Sequence, residues 1–339
     1  MEKPLRFGLQ FDFRNPAPWS RPYADLYAET LDLICAAEDL GYDTVWLTEH
    51  HFVEDGYLPS LLPMAAAVAA RTDRIGIGTF VLLLPLQHPL RVAEDGAVVD
   101  ILSRGRLRLG GGQGYRAEEF AAYGVPRERR ASMFEEGLEV LRLAWTRERF
   151  SFSGEHYRLE DVSVRPRPVQ EPHPPILIGA RSKEAIRRAA RKGFSFAPLG
   201  GRHDTSLYVE TLRECGRDPA DYDIVVARSV FVADTAAAAW ATVREHARYQ
   251  MRLYAAWLGE AADVPAERDP MLRSAEEESL RRMGIYGDPT ECADAIRQQR
   301  ERMGFTEVAM VMRQPGLAVK ETLRSMELFA REVIPRLRG

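Results

Sequence analysis

The sequence predicts a (β/α)8 TIM barrel formed by a single domain over residues 1–339. Short β-rich runs alternate with amphipathic helical stretches eight times, and no break in composition divides the chain. The run Ile176–Ile178 is entirely apolar, as a parallel strand covered on both faces should be. An open doubly wound sheet is the competing arrangement. The sequence carries no internal repeat and no low-complexity tract.

The elements follow in order. Leu5–Phe11 is the first strand, and Tyr23–Leu40 the first helix, with Tyr27, Leu31, Ile34 and Cys35 on one face and Gly41 at its stop. Thr44–Leu47 is the second strand, and a helix over Pro59–Ala70 leads to the third, Ile75–Leu84. A helix over Pro89–Leu102 ends at Arg104 and Gly105, and Arg106–Leu109 begins a fourth strand that runs into Gly110–Gly114. A long helix near Glu128–Trp145, a polar hairpin and the Pro-rich stretch Pro166–Pro175 precede the fifth strand, Ile176–Ile178. Ser182 suits the N-cap of a helix over Lys183–Lys192, whose last turn is basic and which stops at Gly193. Phe194–Ala197 and Ile224–Val232 are strands six and seven, followed by helices near Thr205–Cys215 and Ala236–Leu258. Gly259–Glu278 is acidic and lacks a clear period, so it reads as a loop insertion after strand seven. Asp288–Glu291 forms a capping-box start with Pro289 in the first turn of a helix to about Arg302. Glu307–Met312 is strand eight, and Ala318–Arg336 closes the chain as a helix.

Composition sets outer bounds on function. With 46 Lys+Arg against 50 Asp+Glu the net charge is −4, which provides no basic field for nucleic acid. The three cysteines, Cys35, Cys215 and Cys292, are far apart and form no CxxC, so neither a disulfide framework nor a zinc knuckle is expected. The longest charge-free stretches, Gly56–Ala70 and Ile75–Leu90, fall short of a membrane span and each contains prolines. Met1–Arg6 leads straight into an apolar run without a signal-peptide segment, so a cytoplasmic protein is expected.

In such a barrel, active-site groups gather at the C-terminal strand ends. Strand two ends in Glu49, His50, His51 and Phe52. The two histidines leave the strand in opposite directions and have no further ligands at metal spacing, so no metal is expected. A proton-transfer role for His50 suits imidazole chemistry near neutral pH, beside the alternative of a hydrogen-bonded structural histidine. Glu49 reads as an orienting partner, and His88 as either a site residue or a helix start. Gly110–Gly114 lets backbone approach a ligand closely, or forms a flexible loop; its spacing does not fit a dinucleotide fingerprint. Gly179, Ala180, Arg181 and Ser182 lead into a helix N-terminus, which suits either an anion seat or an ordinary βα turn. Tyr115, Trp46 and Phe11 read as packing residues.

Several segments together resemble the bacterial luciferase-like flavin-dependent monooxygenases and oxidoreductases. These are Ala37–Phe52 (AEDLGYDTVWLTEHHF), Gly78–Pro85 with His88–Asp95, Leu102–Gly110, Arg165–Pro168 with Pro174–Gly179, and Tyr286–Glu291. Their order and spacing are specific, and they cover most of the chain. The resemblance implies a barrel that binds reduced FMN or, in other branches, a deazaflavin coenzyme at the C-terminal strand ends. It places the phosphate against Arg181 and Ser182, with Gly179 and Ala180 leading in and Gln113 beside Gly112 helping from the glycine loop. Some relatives carry Arg where this chain has Gln113. The flavin ring falls on Thr79, Phe80 and Val81, where relatives have a bulged non-prolyl cis peptide. His50 matches the family's catalytic histidine, and Gly112 stands where luciferase has a reactive cysteine.

The activity so implied is a monooxygenase reaction on a small, apolar organic substrate, in which reduced FMN and O2 form a flavin 4a-hydroperoxide. Reduced FMN would come from a separate flavin reductase, since the sequence has no NAD(P)H fingerprint. Deazaflavin hydride transfer and a non-catalytic flavin-binding subunit are the alternatives. The resemblance also implies a homodimer, with Gly259–Glu278 as a lid and Trp19, Phe196 and Leu199 among the substrate-selecting residues.

Overall fold

The computed structural model describes residues 3–198, 202–261 and 277–338. Strands β1 (Arg6–Phe11), β2 (Thr44–Leu47) and β3 (Gly76–Thr79) pair in parallel, and β3 passes to β5 (Leu107–Gly112). Two residues after β3 the chain resumes as β4 (Leu82–Leu83), which also pairs with β5, so the expected strand Ile75–Leu84 is broken by a bulge at Phe80 and Val81. An antiparallel hairpin, β6 (Phe150–Ser153) and β7 (Arg158–Val162), stands apart from this sheet. The sheet continues through β8 (Ile176–Ala180) to β9 (Ser195–Pro198). On its other side β1 pairs with β12 (Glu307–Val311), and β12 with β10 (Val225–Val232). A parallel bridge from Phe196 to Ile224 joins β9 to the start of β10, and the Phe196 amide donates to the Asp223 carbonyl at 2.9 Å. The eight-strand order of the (β/α)8 class is therefore present, its last seam a single bridge. β11 (Ile285–Gly287) adds a short parallel strand beside the second half of β10. Three residues are too few for a sequence pattern to reveal it.

Strand periodicity sorts the core into two layers. Trp46, Phe80, Leu177, Ala197, Val225 and Ala309 meet inside the ring of strands, while their neighbours Val45, Leu47, Ile176 and Ile178 pack outward against the helices. Trp46 fills the axis because Gly8 and Gly78 leave room for its ring; a Cβ on Gly8 would lie 2.7 Å from the indole. Beneath it, Glu307 Oε1 accepts from Trp46 Nε1 at 2.7 Å, and its Oε2 accepts from both Arg108 at 2.6 Å and Arg6 at 3.1 Å. Asp223 completes this floor, 2.9 Å from Arg108.

The helices α1 (Tyr23–Asp39), α2 (Leu61–Arg71), α3 (Pro89–Leu102), α5 (Arg130–Thr146), α6 (Lys183–Lys192) and α7 (Arg202–Glu214) form the outer layer, and a short α4 (Ala117–Ala122) follows β5. His88 is the N-cap of α3 and accepts the Leu90 amide, which resolves it as a helix-start residue. The helix α8 (Ala236–Ala261) runs past its expected end at Leu258, through Gly259. Of the expected loop Gly259–Glu278, residues 262–276 lie outside the described residues, as does Leu199; α9 begins at Glu277. The capping box at Asp288 and Glu291 opens α10 (Pro289–Met303) as expected. The closing helix is not uniform: Val319–Leu328 passes through a π turn at Phe329–Val333 before Ile334–Arg338. Among the described residues no helix is long and apolar enough to cross a membrane.

Candidate active site

The pleat of β2 sends its two trailing histidines apart, and each finds its own carboxylate. His50 Nδ1 lies 2.8 Å from Glu119 Oε1, and its Nε2 lies 3.3 Å from the Tyr115 hydroxyl. His51 Nε2 lies 2.8 Å from Glu49 Oε1, and its Nδ1 lies 3.1 Å from the Tyr123 hydroxyl. Glu49 therefore orients His51 rather than His50. Phe52, at φ 56°, turns the chain sharply after the pair. Among the described residues no three His, Cys, Asp or Glu side chains gather as a metal site.

Burial, opposed by Glu119, holds His50 below its ordinary pKa, so it is neutral near pH 7. Burial alone would raise Glu119, but bonds from the His50 ring and the His51 amide, together with Arg116, outweigh it and keep the carboxylate ionised. A carboxylate only accepts, so the proton of neutral His50 sits on Nδ1 and the lone pair on Nε2 faces Tyr115. Tyr115 is pushed well above the usual phenol range by burial. Arg116 ties the arrangement together: it donates to the His51 carbonyl at 2.6 Å and to Glu118 at 2.6 Å. The result is a buried base with a fixed tautomer.

Aromatic rings roof this base. The Trp257 ring centroid is 4.7 Å from that of His50, and the Arg116 guanidinium lies 4.6 Å from the Trp257 ring. The Tyr254 hydroxyl bonds Tyr57 at 2.9 Å, and the Tyr57 ring lies 4.9 Å from His50. Tyr249 bonds Asp55 at 2.9 Å, and His246 lies 2.9 Å from the Pro315 carbonyl. All four of these α8 side chains attach the helix to the C-terminal end of the barrel.

The shelf opposite is built from β3, β5 and β8. The Phe80–Val81 peptide is cis, as the family resemblance implies. Thr79 Oγ1 donates to the Gly110 carbonyl at 2.7 Å, and Phe80 points into the barrel against Trp46, with ring centroids 5.6 Å apart. The Phe80 ring is thus largely taken up by packing inside the barrel. Val81 lies in the hollow left by two glycines: a Cβ on Gly112 would stand 2.5 Å from a Val81 methyl, and one on Gly179 3.1 Å. A Cβ on Gly110 would overlap the Thr79 carbonyl. The close approach of the bulge thus suffices to require glycine at Gly110 and Gly112, and these residues belong to β5 rather than to a loop. Gln113 and Gly179 line one cleft between α5 and α6. Ala180 is buried, whereas Arg181 and Ser182 are exposed, and Ser182 caps α6 by accepting the Ala185 amide.

Several residues of this site carry no clear sequence signal. Glu119 follows the glycine run by seven residues, and the charged group Arg116, Glu118 and Glu119 at a strand end was its one sign. Tyr57, Tyr254 and Trp257 are aromatic residues on a loop and a helix, indistinguishable there from packing. Tyr115, expected to pack, reaches His50 instead. Phe196, expected at the substrate, is fully buried and stacks on Tyr208 with centroids 4.9 Å apart. Trp19 lies against His246, 4.3 Å between ring centroids.

Comparison with known proteins fits this architecture. A relative named F420-dependent glucose-6-phosphate dehydrogenase, from Nakamurella multipartita, is 31% identical and the match covers 99% of this chain and 97% of the relative. The alkanal monooxygenase alpha chain of Photorhabdus luminescens is 26% identical over 89% of each chain. The crystal structure of the monooxygenase RslO1 from Streptomyces bottropensis superposes with a TM-score of 0.84 at 27% identity, covering 98% of this chain and 99% of that one. The family model described as luciferase-like monooxygenase matches residues 5–307, and the chain belongs to that family of oxidoreductases.

Proposed function

We propose that the protein is a flavin-dependent monooxygenase that uses reduced FMN and O2 to oxidise a small organic substrate. The single observation that carries this reading is the buried, neutral His50, held by Glu119 and roofed by Trp257, Tyr57 and Tyr254. A roof of aromatic rings keeps water from a reactive oxygen intermediate, a demand that oxygen chemistry makes more strongly than hydride transfer.

The residues present fit a flavin. Thr79, the Phe80 backbone and Val81 offer a flat shelf, and side chains at Gly112 or Gly179 would fill the hollow that shapes it. Ser182, Arg181 and the free amides of α6 suit the phosphate. Gln113 is uncharged, and the cations that line its cleft, Arg188 and Lys192, are each paired with Glu135 at 2.7 Å. When bound, reduced FMN supplies the electrons that activate O2. The protein's own part is to orient the ring, exclude water and hold or release one proton at His50 Nε2.

The 31% identity to the F420-dependent dehydrogenase favours a second reading, hydride transfer with a deazaflavin, in which His50 would play the same proton role. Reduced FMN would reach the site from a separate reductase, and a homodimer is the assembly we expect. Replacement His50→Ala should lower turnover by about tenfold or more while circular dichroism and thermal melting stay unchanged. Unchanged turnover in a folded variant removes His50 from the mechanism.

A further inference from the structure

His50 is 6% exposed, and its surroundings leave its basic nitrogen one way out. Glu119 holds Nδ1, and the ring centroids of Trp257 and Tyr57 lie 4.7 Å and 4.9 Å from that of the imidazole. The Tyr115 hydroxyl, 3.3 Å from Nε2, is the one hydrogen-bond partner of that nitrogen among the described residues. Three tyrosines crowd the base, but one aims its proton there. The Tyr57 hydroxyl donates to Thr48 Oγ1 at 2.8 Å, so Tyr254 is the donor in its 2.9 Å contact with Tyr57. Thr48 in turn donates to the Phe11 carbonyl at 3.3 Å, and this chain of donors ends on backbone. Tyr115 instead donates to Nε2 and makes no second hydrogen bond among the described residues, so the lone pairs of its oxygen stay open. It is half-buried where His50 is buried, and it directly follows Gly114 at the end of the glycine run.

We propose that Tyr115 is the proton relay of the site, so that the reacting molecule meets the phenol oxygen rather than His50 itself. As the molecule's bond to its proton breaks, a new O–H bond forms on Tyr115. The phenol's own O–H bond breaks in the same step, and its proton forms an N–H bond at His50 Nε2. The phenol is neutral before and after, and the resulting imidazolium faces the Glu119 carboxylate. The reverse transfer returns the proton. A free phenolate is not needed at any point, and burial disfavours it, holding Tyr115 well above the usual phenol range. Arg116 and Arg14 both oppose a positive charge on His50, which favours handing the proton back. The relay rests on the reading of His50 as the base of the reaction.

Tyr115→Phe keeps the ring and deletes the relay. In flavin-free protein carrying isotope-labelled histidine, nitrogen NMR should show the His50 Nε2 resonance moving downfield in this variant, as an imidazole nitrogen does when it loses a donor. The His51 resonances should stay in place, which shows that the neighbouring pair and the fold are intact. A second measurement follows flavin absorbance when protein loaded with reduced FMN is mixed with O2, a reaction in which the flavin gives up a proton. Tyr115→Phe should slow it by about tenfold or more. The same substitution should add nothing in a His50→Ala background, because the two groups form one path. An unmoved Nε2 resonance, an unchanged rate in Tyr115→Phe, or full additivity with His50→Ala overturns the relay. An unchanged rate in His50→Ala overturns the reading of His50 as the base, and the relay with it. Failure of reduced FMN to bind overturns the flavin reading alone, since the resonance still reports the Tyr115 contact.

Discussion

Glu119 decides which nitrogen of His50 carries the proton. Replacement Glu119→Gln preserves an acceptor for Nδ1–H but removes a charge that raises the His50 pKa. Burial already holds that pKa below 6.5, so the neutral base persists down to mildly acidic pH. Without the carboxylate the pKa falls further, and the acidic limb of a pH–rate profile should move to lower pH. Turnover should fall by about tenfold to hundredfold, because the imidazolium formed during proton transfer loses its counter-charge. A limb that stays in place or moves to higher pH contradicts the assignment. His50 itself was legible, because a strand-end histidine within a specific motif is a local pattern. Glu119 was not, since only the fold brings residues 69 positions apart to 2.8 Å.

At the scale of elements, α8 and the bulge between β3 and β4 both lie at the C-terminal end of the barrel strands. Trp257 lies on His50 and Arg116, so Trp257→Ala opens the roof without touching the shelf. The expected result is a drop of about tenfold in product formed per flavin oxidised, with more H2O2, while flavin affinity stays the same. Unchanged coupling would mean that the roof does not exclude water. Gly110→Ala acts on the shelf itself. Its methyl group meets the backbone carbonyl of Thr79, which cannot swing aside, so stability should fall by about 3 kcal/mol or more in urea titration. The glycine run was visible in the sequence, but whether a ligand or a neighbouring strand required it was not. Helices with caps were placed well, as at Ser182 and Asp288, because capping is local chemistry. The apolar run of the third strand reads the same with or without a bulge, so only the family resemblance pointed to the break at Phe80 and Val81.

The whole barrel depends on its closed floor, where Glu307 is fully buried among Trp46, Arg108 and Arg6. Glu307→Gln leaves Arg108 short of a counter-charge and should cost about 3–5 kcal/mol in a denaturant titration. Burial would raise Asp223, but Arg108, Arg6 and Lys3 overcome it and depress its pKa to about 2 from 3.8. A depressed carboxylate stabilises the fold above its unfolded pKa, and the contribution of about 2 kcal/mol should vanish as pH falls from about 4 to 2. Asp223→Asn should therefore be less stable than the wild type at pH 7, and the gap should close near pH 2; a gap independent of pH contradicts this. The barrel class was readable from alternation of strands and helices along the chain. Its floor was not, because Arg6, Arg108, Asp223 and Glu307 look like ordinary surface charges until the strands converge. The most direct test of the function is an anaerobic titration of the protein with reduced FMN and, in parallel, with the reduced deazaflavin. The account predicts selective binding of reduced FMN, followed on rapid mixing with O2 by a transient flavin oxygen adduct. Selective binding of the deazaflavin would contradict it and assign the chain to hydride transfer.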